Sequence, residues 1–237
     1  MSPAPSTDDA QGADERLRAE FNDWVRAGRG PSMERGHRPV GEQAIRLLEI
    51  PDDGRVLDVG CGNGWATRLM AQDAAHGRVV GIDISDEMVD LSRETEVLPN
   101  VEFREASAER LPFAENEFTH AFSMESLYYY GDILRALQEI WRVLKPGGRF
   151  ACVVDLYKEN RPSHQWIPDL KVPVHLLSID EYRSQFEAAG FVNVSDQRVY
   201  DPTPVPEDYA GGSFKTREDF LEYRATGSLL IMGEVAE

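Results

Sequence analysis

Cysteine and long apolar runs are both scarce in this chain of 237 residues. The two cysteines, Cys61 and Cys152, are too few for a disulfide framework or for the thiolates of an ordinary zinc site. No stretch approaches the roughly 18 consecutive apolar residues that a membrane-spanning helix needs, so we expect no membrane partner. The first 15 residues lack the basic and apolar regions of a secretory signal, and we therefore expect a cytoplasmic protein.

Positive charge is scarce as well. The chain has 25 Lys and Arg against 42 Asp and Glu, which gives a formal net charge of -17. Because no segment is basic, long RNA or DNA is not an expected partner. Only 4 of the 25 basic residues are Lys. Strong acidity with few lysines indicates either a salt-loving source or a high-GC genome with an acidic surface.

The distribution of apolar residues divides the chain into three parts. Residues 1–15 are rich in Pro, Ser, Asp and Gly, which predicts a disordered tail. Residues 16–50 predict an N-terminal helical cap of two helices, the second beginning near residue 39 after a turn at 28–31. Residues 51–237 predict the main domain, with inserted lid segments at about 156–177 and 201–226.

Within 51–237, short apolar strands alternate with helices. This rhythm is typical of βαβ units and predicts an α/β fold with a Rossmann-like, doubly wound, mostly parallel sheet of seven strands. The apolar segment 228–235 is predicted to be a last antiparallel strand, lying at the end of the sheet.

A glycine-rich turn follows the first predicted strand, in the segment 56–65 with the sequence VLDVGCGNGW. Gly60, Gly62 and Gly64 let the backbone turn sharply and let a ligand approach where a Cβ would block it. The helix that follows presents free N–H groups to a polar or anionic ligand. Nineteen residues beyond Gly64, Asp83 ends the next strand, where its carboxylate can accept hydrogen bonds from the two hydroxyls of a ribose. The pattern predicts a nucleoside site.

Two features distinguish this turn from a dinucleotide site. The spacing is G-x-G-x-G rather than G-x-G-x-x-G. Asp58 precedes the glycines and would repel a pyrophosphate, whereas it suits a ligand with an ammonium group. S-adenosylmethionine offers a ribose for Asp83 and an α-ammonium for Asp58.

Four segments in order, LDVGCGNG, GIDIS, AERLPFAENEF and LQEIWRVLKPGGRF, resemble the class I S-adenosylmethionine-dependent methyltransferases of the small-molecule group called type 11. The resemblance is close over residues 55–150 and implies S-adenosyl-L-methionine as cofactor and S-adenosyl-L-homocysteine as product. It implies contacts of Asp58 with the methionine part, of Asp83 with the ribose and of Ile84 with the adenine. The other implied cofactor-binding residues are Gly60, Gly62, Gly64, Ser107, Ala108, Ser123 and Met124.

The chain departs from the family pattern at two positions. Ser107, followed by Ala108, stands where the family usually has an aspartate that meets the adenine amino group, and a serine oxygen can still accept that hydrogen bond. Thr119 stands where the family often has an aspartate after Phe118, a change expected to cost only a surface or turn contact.

The methyl acceptor is expected beyond the fourth and fifth strands, beneath the cap and the lid. Tyr128, Tyr129 and Tyr130 follow the fourth strand, and at least one is expected to face the acceptor. His37, between the two cap helices, is the third candidate catalytic residue beside Tyr128 and Tyr129. A core position is expected for His120. Glu125 and Asp155 are too few for a magnesium-dependent catechol site, so we expect no metal.

Three functions stay open at this level. The first is methyl transfer by in-line displacement to a small organic molecule, with oxygen, nitrogen or carbon as the attacked atom. The second is a non-catalytic S-adenosylmethionine-binding module that has lost its acceptor pocket. The third is a nicotinamide-dependent oxidoreductase, which the glycine spacing and the lack of a Tyr-x-x-x-Lys pair disfavour.

Overall fold

The computed structural model describes residues 7–95, 98–205, 207 and 212–237. Its centre is a seven-stranded sheet of order β3-β2-β1-β4-β5-β7-β6. The strands are β1 (Arg55–Val59), β2 (Arg78–Asp83), β3 (Val101–Glu105), β4 (Phe118–Met124), β5 (Leu144–Val154), β6 (Val192–Val199) and β7 (Ser228–Glu234). Strands β1 to β5 pair in parallel, which confirms the predicted Rossmann-like, mostly parallel sheet.

Seven α-helices accompany the strands in the described residues. They are α1 (Thr7–Arg26), α2 (Gly30–Leu48), α3 (Trp65–Asp73), α4 (Asp86–Glu94), α5 (Ile133–Val143), α6 (Ile179–Ala189) and α7 (Arg217–Thr226). Two 3-10 segments, Leu127–Tyr129 and Arg161–Asp169, follow β4 and β5. Apolar clusters fill the space between the sheet and the helices on both of its faces.

The last strand is antiparallel as predicted, but it does not lie at the end of the sheet. β7 is inserted between β5 and β6 and pairs with both. Its residues are nearly all buried, whereas β6 has exposed and half-buried positions throughout most of its length. An apolar strand that is buried on both faces belongs inside a sheet, and the more polar β6 takes the edge.

The two N-terminal helices are longer than predicted. Helix α1 begins at Thr7, so residues 7–15, predicted as part of a disordered tail, are helical; residues 1–6 lie outside the described residues. Thr followed by two Asp is a sequence that suits a helix N-terminus, which explains the extension. Helix α2 begins at Gly30, with Pro31 in its first turn and Pro39 inside it. The predicted start near residue 39 is therefore nine residues too late.

The carboxyl ends of β1, β2, β4 and β5 meet at one edge of the sheet, where the glycine turn and the polar strand-end residues lie. Helices α1 and α2 cross this edge. Arg18 on α1 forms a 2.7 Å ion pair with Glu105 at the end of β3, and Asn22 bonds to Ser85 and Asp86 at the start of α4. The cap is therefore attached to the sheet by polar contacts as well as by apolar packing.

Candidate active site

The glycine turn has a left-handed backbone at all three glycines, with φ of +75° at Gly60, +53° at Gly62 and +77° at Gly64. A Cβ on Gly60 would lie 2.5 Å from Ser126, and one on Gly64 would lie 2.5 Å from the ring of Phe103. A Cβ on Gly62 would meet no atom within 4 Å. Gly60 and Gly64 are therefore required by packing, and Gly62 leaves open space on the cavity side.

Asp83 fixes the turn from the neighbouring strand. Its Oδ2 accepts a 2.9 Å hydrogen bond from the Gly62 N–H, and its Oδ1 accepts one of 2.9 Å from the Ser85 N–H. Burial raises the pKa of Asp83, and the backbone N–H donors oppose that rise. A carboxylate oxygen has further lone-pair sites, so both oxygens can still accept bonds from a ligand.

Asp58 lies at the end of β1 and is buried. Its Oδ2 accepts a 2.6 Å hydrogen bond from the Thr67 hydroxyl. Burial, with the negative charge of Asp83 adding to it, raises the pKa of Asp58 to about 7. Such a carboxyl is poised to ionise when a positively charged group approaches.

A cavity opens over this turn, and we call it the glycine-loop cavity. It is bounded by α1 and α2 on one side and by the ends of β1, β2 and β4 on the other. Most residues predicted to bind the cofactor lie in its wall: Asp58, Gly60, Gly62, Asp83, Ile84, Ser107, Ala108 and Met124. Gly64 and Ser123 do not; the Ser123 hydroxyl is buried behind the wall, 2.7 Å from that of Ser126.

The cap supplies two further carboxylates to the wall of this cavity. Asp14 on α1 lies in the cavity wall, and its Oδ1 accepts a 3.4 Å hydrogen bond from the hydroxyl of Ser107. Burial raises the pKa of Asp14. Glu34 on α2 accepts a 3.0 Å bond from the Asn63 side-chain amide, which joins α2 to the glycine turn. Asp14 escaped prediction because its segment has the composition of a tail.

The three tyrosines do not have the predicted arrangement. Tyr128 and Tyr129 are buried and do not line the glycine-loop cavity, whereas Tyr130 does. Tyr129 packs edge-on against Phe21 of α1, because the 3-10 turn directs its ring into the core. Burial raises the pKa of all three hydroxyls, so none is suited to act as a base near neutral pH. The structure therefore argues against Tyr128 and Tyr129 as catalytic residues.

A second cavity, which we call the α7 cavity, lies between α2, the 3-10 helix Arg161–Asp169 and α7. Its volume is about 510 Å³, within the range of small-molecule sites. Its apolar wall is formed by Val40, Trp166, Phe214, Phe220 and Tyr223, and its polar wall includes His37, Asp155, Asp201, Thr203 and Arg224. Met33 and His37 line both cavities, so the two adjoin at this part of α2.

His37 lies inside α2 rather than in a turn between helices, which corrects the predicted position. Because the helix begins nine residues earlier than predicted, the imidazole meets the ends of β4 and β5. One ligand atom each from His37, Glu125 and Asp155 lie within 4.8 Å of one another. Burial lowers the pKa of His37, and the nearby Asp155 opposes this shift. His37 thus lies at the boundary between the cavities, where burial favours its neutral form.

His120 on β4 has the predicted core position. It is buried and bonds through Nδ1 to the Thr119 hydroxyl at 2.9 Å. Burial, with the charge of Arg149 adding to it, lowers the pKa of His120 to about 4.

A family model described as "Methyltransferase domain" matches residues 57–152. The chain is 31% identical over 193 residues to a demethylmenaquinone methyltransferase of Lactiplantibacillus plantarum, which covers 68% of this chain and 80% of the relative. It is 29% identical over 184 residues to a 2-phytyl-1,4-naphtoquinone methyltransferase of Nostoc punctiforme, covering 76% of each.

Two solved structures are similar to this chain in fold. A Haloferax volcanii methyltransferase, called putative and solved in complex with the Trm112 methyltransferase activator, matches with a TM-score of 0.86 and 33% identity over 92% of this chain and 98% of that one. A Streptomyces coelicolor geranyl diphosphate C-methyltransferase, solved with Mg²⁺, geranyl diphosphate and S-adenosyl-L-homocysteine, shares the fold, with a TM-score of 0.66 and 22% identity over 84% of this chain and 80% of that one.

The chain belongs to the family of S-adenosylmethionine-dependent methyltransferases. This membership excludes the alternative of a nicotinamide-dependent oxidoreductase. In the part of the chain that the structure describes, no helix has the length and apolar character needed to cross a bilayer.

Proposed function

We propose that this enzyme transfers a methyl group from S-adenosyl-L-methionine to a small organic molecule bound in the α7 cavity. The observation that carries the proposal is the adjacency of the two cavities at His37, which lines both. A cofactor in the first cavity and an acceptor in the second would meet there. Methyl transfer by in-line displacement depends mainly on such placement, because proximity and orientation supply the largest part of its acceleration.

The residues of the glycine-loop cavity fit this cofactor. The open space beside Gly62 admits a ligand against the backbone, and the buried Asp83 keeps acceptor capacity for two ribose hydroxyls. Asp58, with a pKa raised to about 7, would ionise beside an α-ammonium group. When bound, the cofactor supplies a methyl group activated by a sulfonium charge, and leaves as S-adenosyl-L-homocysteine.

Asp14 and Ser107 together would bind the adenine amino group. Ser107 replaces the aspartate that the family resemblance leads one to expect, and the carboxylate of Asp14 approaches the same hydroxyl from α1. The chain thus has a carboxylate at this end of the cavity, although a different element supplies it. In this proposal the cap binds the cofactor as well as covering it.

His37 is proposed as the group that takes a proton from the acceptor. Burial lowers the pKa of His37 and favours the neutral imidazole, which has a free lone pair that can accept a proton from the acceptor. Its neighbours Glu125 and Asp155 would stabilise the imidazolium that results. Tyr223 holds Asp155 in place through a 2.7 Å hydrogen bond to Oδ2.

The α7 cavity also bears on the alternative of a non-catalytic binding module. A lost acceptor site would be filled by side chains, whereas this cavity is open and has a mixed aromatic and polar wall. The relatives named as quinone methyltransferases support a flat, partly apolar acceptor. With a net charge of -17, the chain is poorly suited to a nucleic-acid acceptor.

The test begins with calorimetric titration of the protein with S-adenosylmethionine, with NAD in a parallel experiment. We expect micromolar binding of the first and none of the second. Transfer of labelled methyl groups is then measured against hydroquinones, phenols and amines, with and without a Trm112-type activator, since the Haloferax relative is found with one. Cofactor binding without transfer to any of these acceptors would favour the non-catalytic alternative.

A further inference from the structure

Three potential metal ligands from distant parts of the chain converge beneath α2. His37 comes from the helix itself, Glu125 follows β4, and Asp155 follows β5. One atom from each lies within 4.8 Å of the others. An ion about 2.0–2.3 Å from each ligand atom requires separations up to roughly this size. The cluster lies where the two cavities adjoin, because Glu125 lines the first, Asp155 the second and His37 both.

The two carboxylates lie close together without a Lys or Arg partner. Glu125 accepts hydrogen bonds from the Asp155 N–H and from the Tyr128 hydroxyl, at 2.8 Å for the latter. In the described part of the chain, neither Glu125 nor Asp155 forms an ion pair with Lys or Arg. The half-buried Glu125 and the buried Asp155 repel each other when both are ionised, and their ionisation is costly unless a cation or a proton compensates it.

Asp155 also has unused coordinating capacity. The residue is only 2% exposed, and its Oδ2 accepts the hydrogen bond from Tyr223. Its Oδ1 is buried and has no hydrogen-bond partner. A buried oxygen without a partner is costly, and a water or an ion bound to it would remove that cost. The unpartnered Oδ1 of Asp155 is therefore a second observation, separate from the proximity of the three side chains.

We propose that His37, Glu125 and Asp155 bind a divalent first-row transition-metal ion. One imidazole nitrogen and two carboxylate oxygens suit Mn²⁺, Fe²⁺ or Zn²⁺ better than Mg²⁺ or Ca²⁺, which prefer all-oxygen sites. Three protein ligands leave coordination positions open, and these would face the cavities. The hydrogen bonds from Tyr128 and Tyr223 would orient the two carboxylates, as outer partners do in metal sites. A bound ion would occupy the imidazole lone pair of His37, so the ion-bound protein and the protein in which His37 takes a proton from the acceptor are two alternative states of the same site. Binding of the ion itself does not depend on the proposed methyl acceptor.

The test uses Mn²⁺, whose free ion has a characteristic electron paramagnetic resonance signal. The full-length protein, treated with a chelator and then freed of it, is titrated with Mn²⁺ in the absence of cofactor and acceptor. We expect one bound ion per chain and a coupling of its electron spin to a histidine ¹⁴N nucleus. The variants Glu125→Gln and Asp155→Asn are each expected to weaken binding at least about tenfold, and His37→Gln is expected to remove the nitrogen coupling.

The matched control is Asp52→Asn. Asp52 and His76 form an exposed pair, with 2.6 Å between Oδ2 and Nδ1, on a surface turn away from the cluster. This variant is expected to bind Mn²⁺ as the wild type does. The wild-type nitrogen coupling keeps the test decisive even where a cluster variant folds poorly. Absence of bound Mn²⁺ at millimolar concentration, or a loss of Mn²⁺ affinity in Asp52→Asn equal to that in the cluster variants, would overturn the proposal. A proton or an organic cation would then compensate the two carboxylates.

Discussion

The Gly62 N–H lies 2.9 Å from Oδ2 of Asp83, so the glycine turn after β1 is bonded to the end of β2. The same carboxylate accepts the Ser85 N–H through Oδ1 and thereby fixes the entry to α4. Asp83 is therefore both part of the cavity wall and a support for the backbone that forms the wall. Cofactor binding and stability are therefore measured together in the variants of this region.

Replacing Asp83 by Ala is expected to weaken S-adenosylmethionine binding by about 1–3 kcal/mol, because ribose hydroxyls would lose their acceptor. Calorimetric titration gives the change in the dissociation constant. The control is Asp90→Asn on α4, where the side chain is 71% exposed and pairs only with Arg93. An unchanged dissociation constant in Asp83→Ala would refute the assigned role.

Gly62 and Gly64 form a natural pair for comparison, since both have a left-handed backbone. Alanine at either position incurs about 1–2 kcal/mol of backbone strain. Gly64→Ala is expected to lose additional stability, because its Cβ would lie 2.5 Å from the ring of Phe103. Gly62→Ala is expected to keep more stability but to bind cofactor weakly, because its Cβ would occupy the open space. Urea unfolding and calorimetry measure both quantities, and equal stability losses would contradict the assignment.

Asp14→Ala tests whether the cap contributes to cofactor binding. Loss of the carboxylate beside Ser107 is expected to weaken S-adenosylmethionine binding by about 1 kcal/mol, the ordinary value of one hydrogen bond. The neighbouring Glu15 is exposed on the same helix, so Glu15→Gln serves as the control. The idea fails if both variants bind the cofactor as the wild type does.

The raised pKa of Asp58 predicts how the stability of the cofactor-free protein depends on pH. Its pKa is raised from the ordinary 3.8 to about 7 by burial. Between these pH values the folded chain binds more protons at this site than the unfolded chain, so the free energy of unfolding falls as pH rises. Asp58→Asn removes this contribution. Urea unfolding at pH 5 and pH 7.5 is expected to show a smaller decrease in the variant, and equal decreases would exclude the raised pKa.

Local sequence predicted the glycine turn and the position of Asp83 because short-range features determine the backbone geometry there. A strand, a turn that needs positive φ and a helix start follow one another within ten residues, and Asp83 ends the next strand. The alternating pattern likewise predicted the parallel sheet. The position of β7 inside the sheet follows from its burial on both faces and from the more polar character of β6. These two strands are distant in sequence, and no local pattern compares them.

The acceptor side could not be predicted in the same way. His37 meets Asp155 only because α2 begins before Pro39, and Tyr223 bonds to Asp155 across 68 positions of sequence. No local pattern encodes either contact. The sequence of three consecutive tyrosines also does not show which side chain faces a cavity. In the structure, Tyr128 and Tyr129 are buried in the core.

The net charge of -17 and the ratio of 21 Arg to 4 Lys predict a protein that is stabilised by salt. Repulsion among surface carboxylates opposes the compact state, and it is screened as the Debye length falls from about 10 Å at 0.1 M salt to about 3 Å at 1 M. The melting temperature is therefore expected to rise between 0.1 and 2 M KCl. Sucrose at matched osmolality is the control, because it stabilises by exclusion from the surface without screening charge. A melting temperature that falls as KCl is added would show that charge repulsion does not govern the stability of this chain.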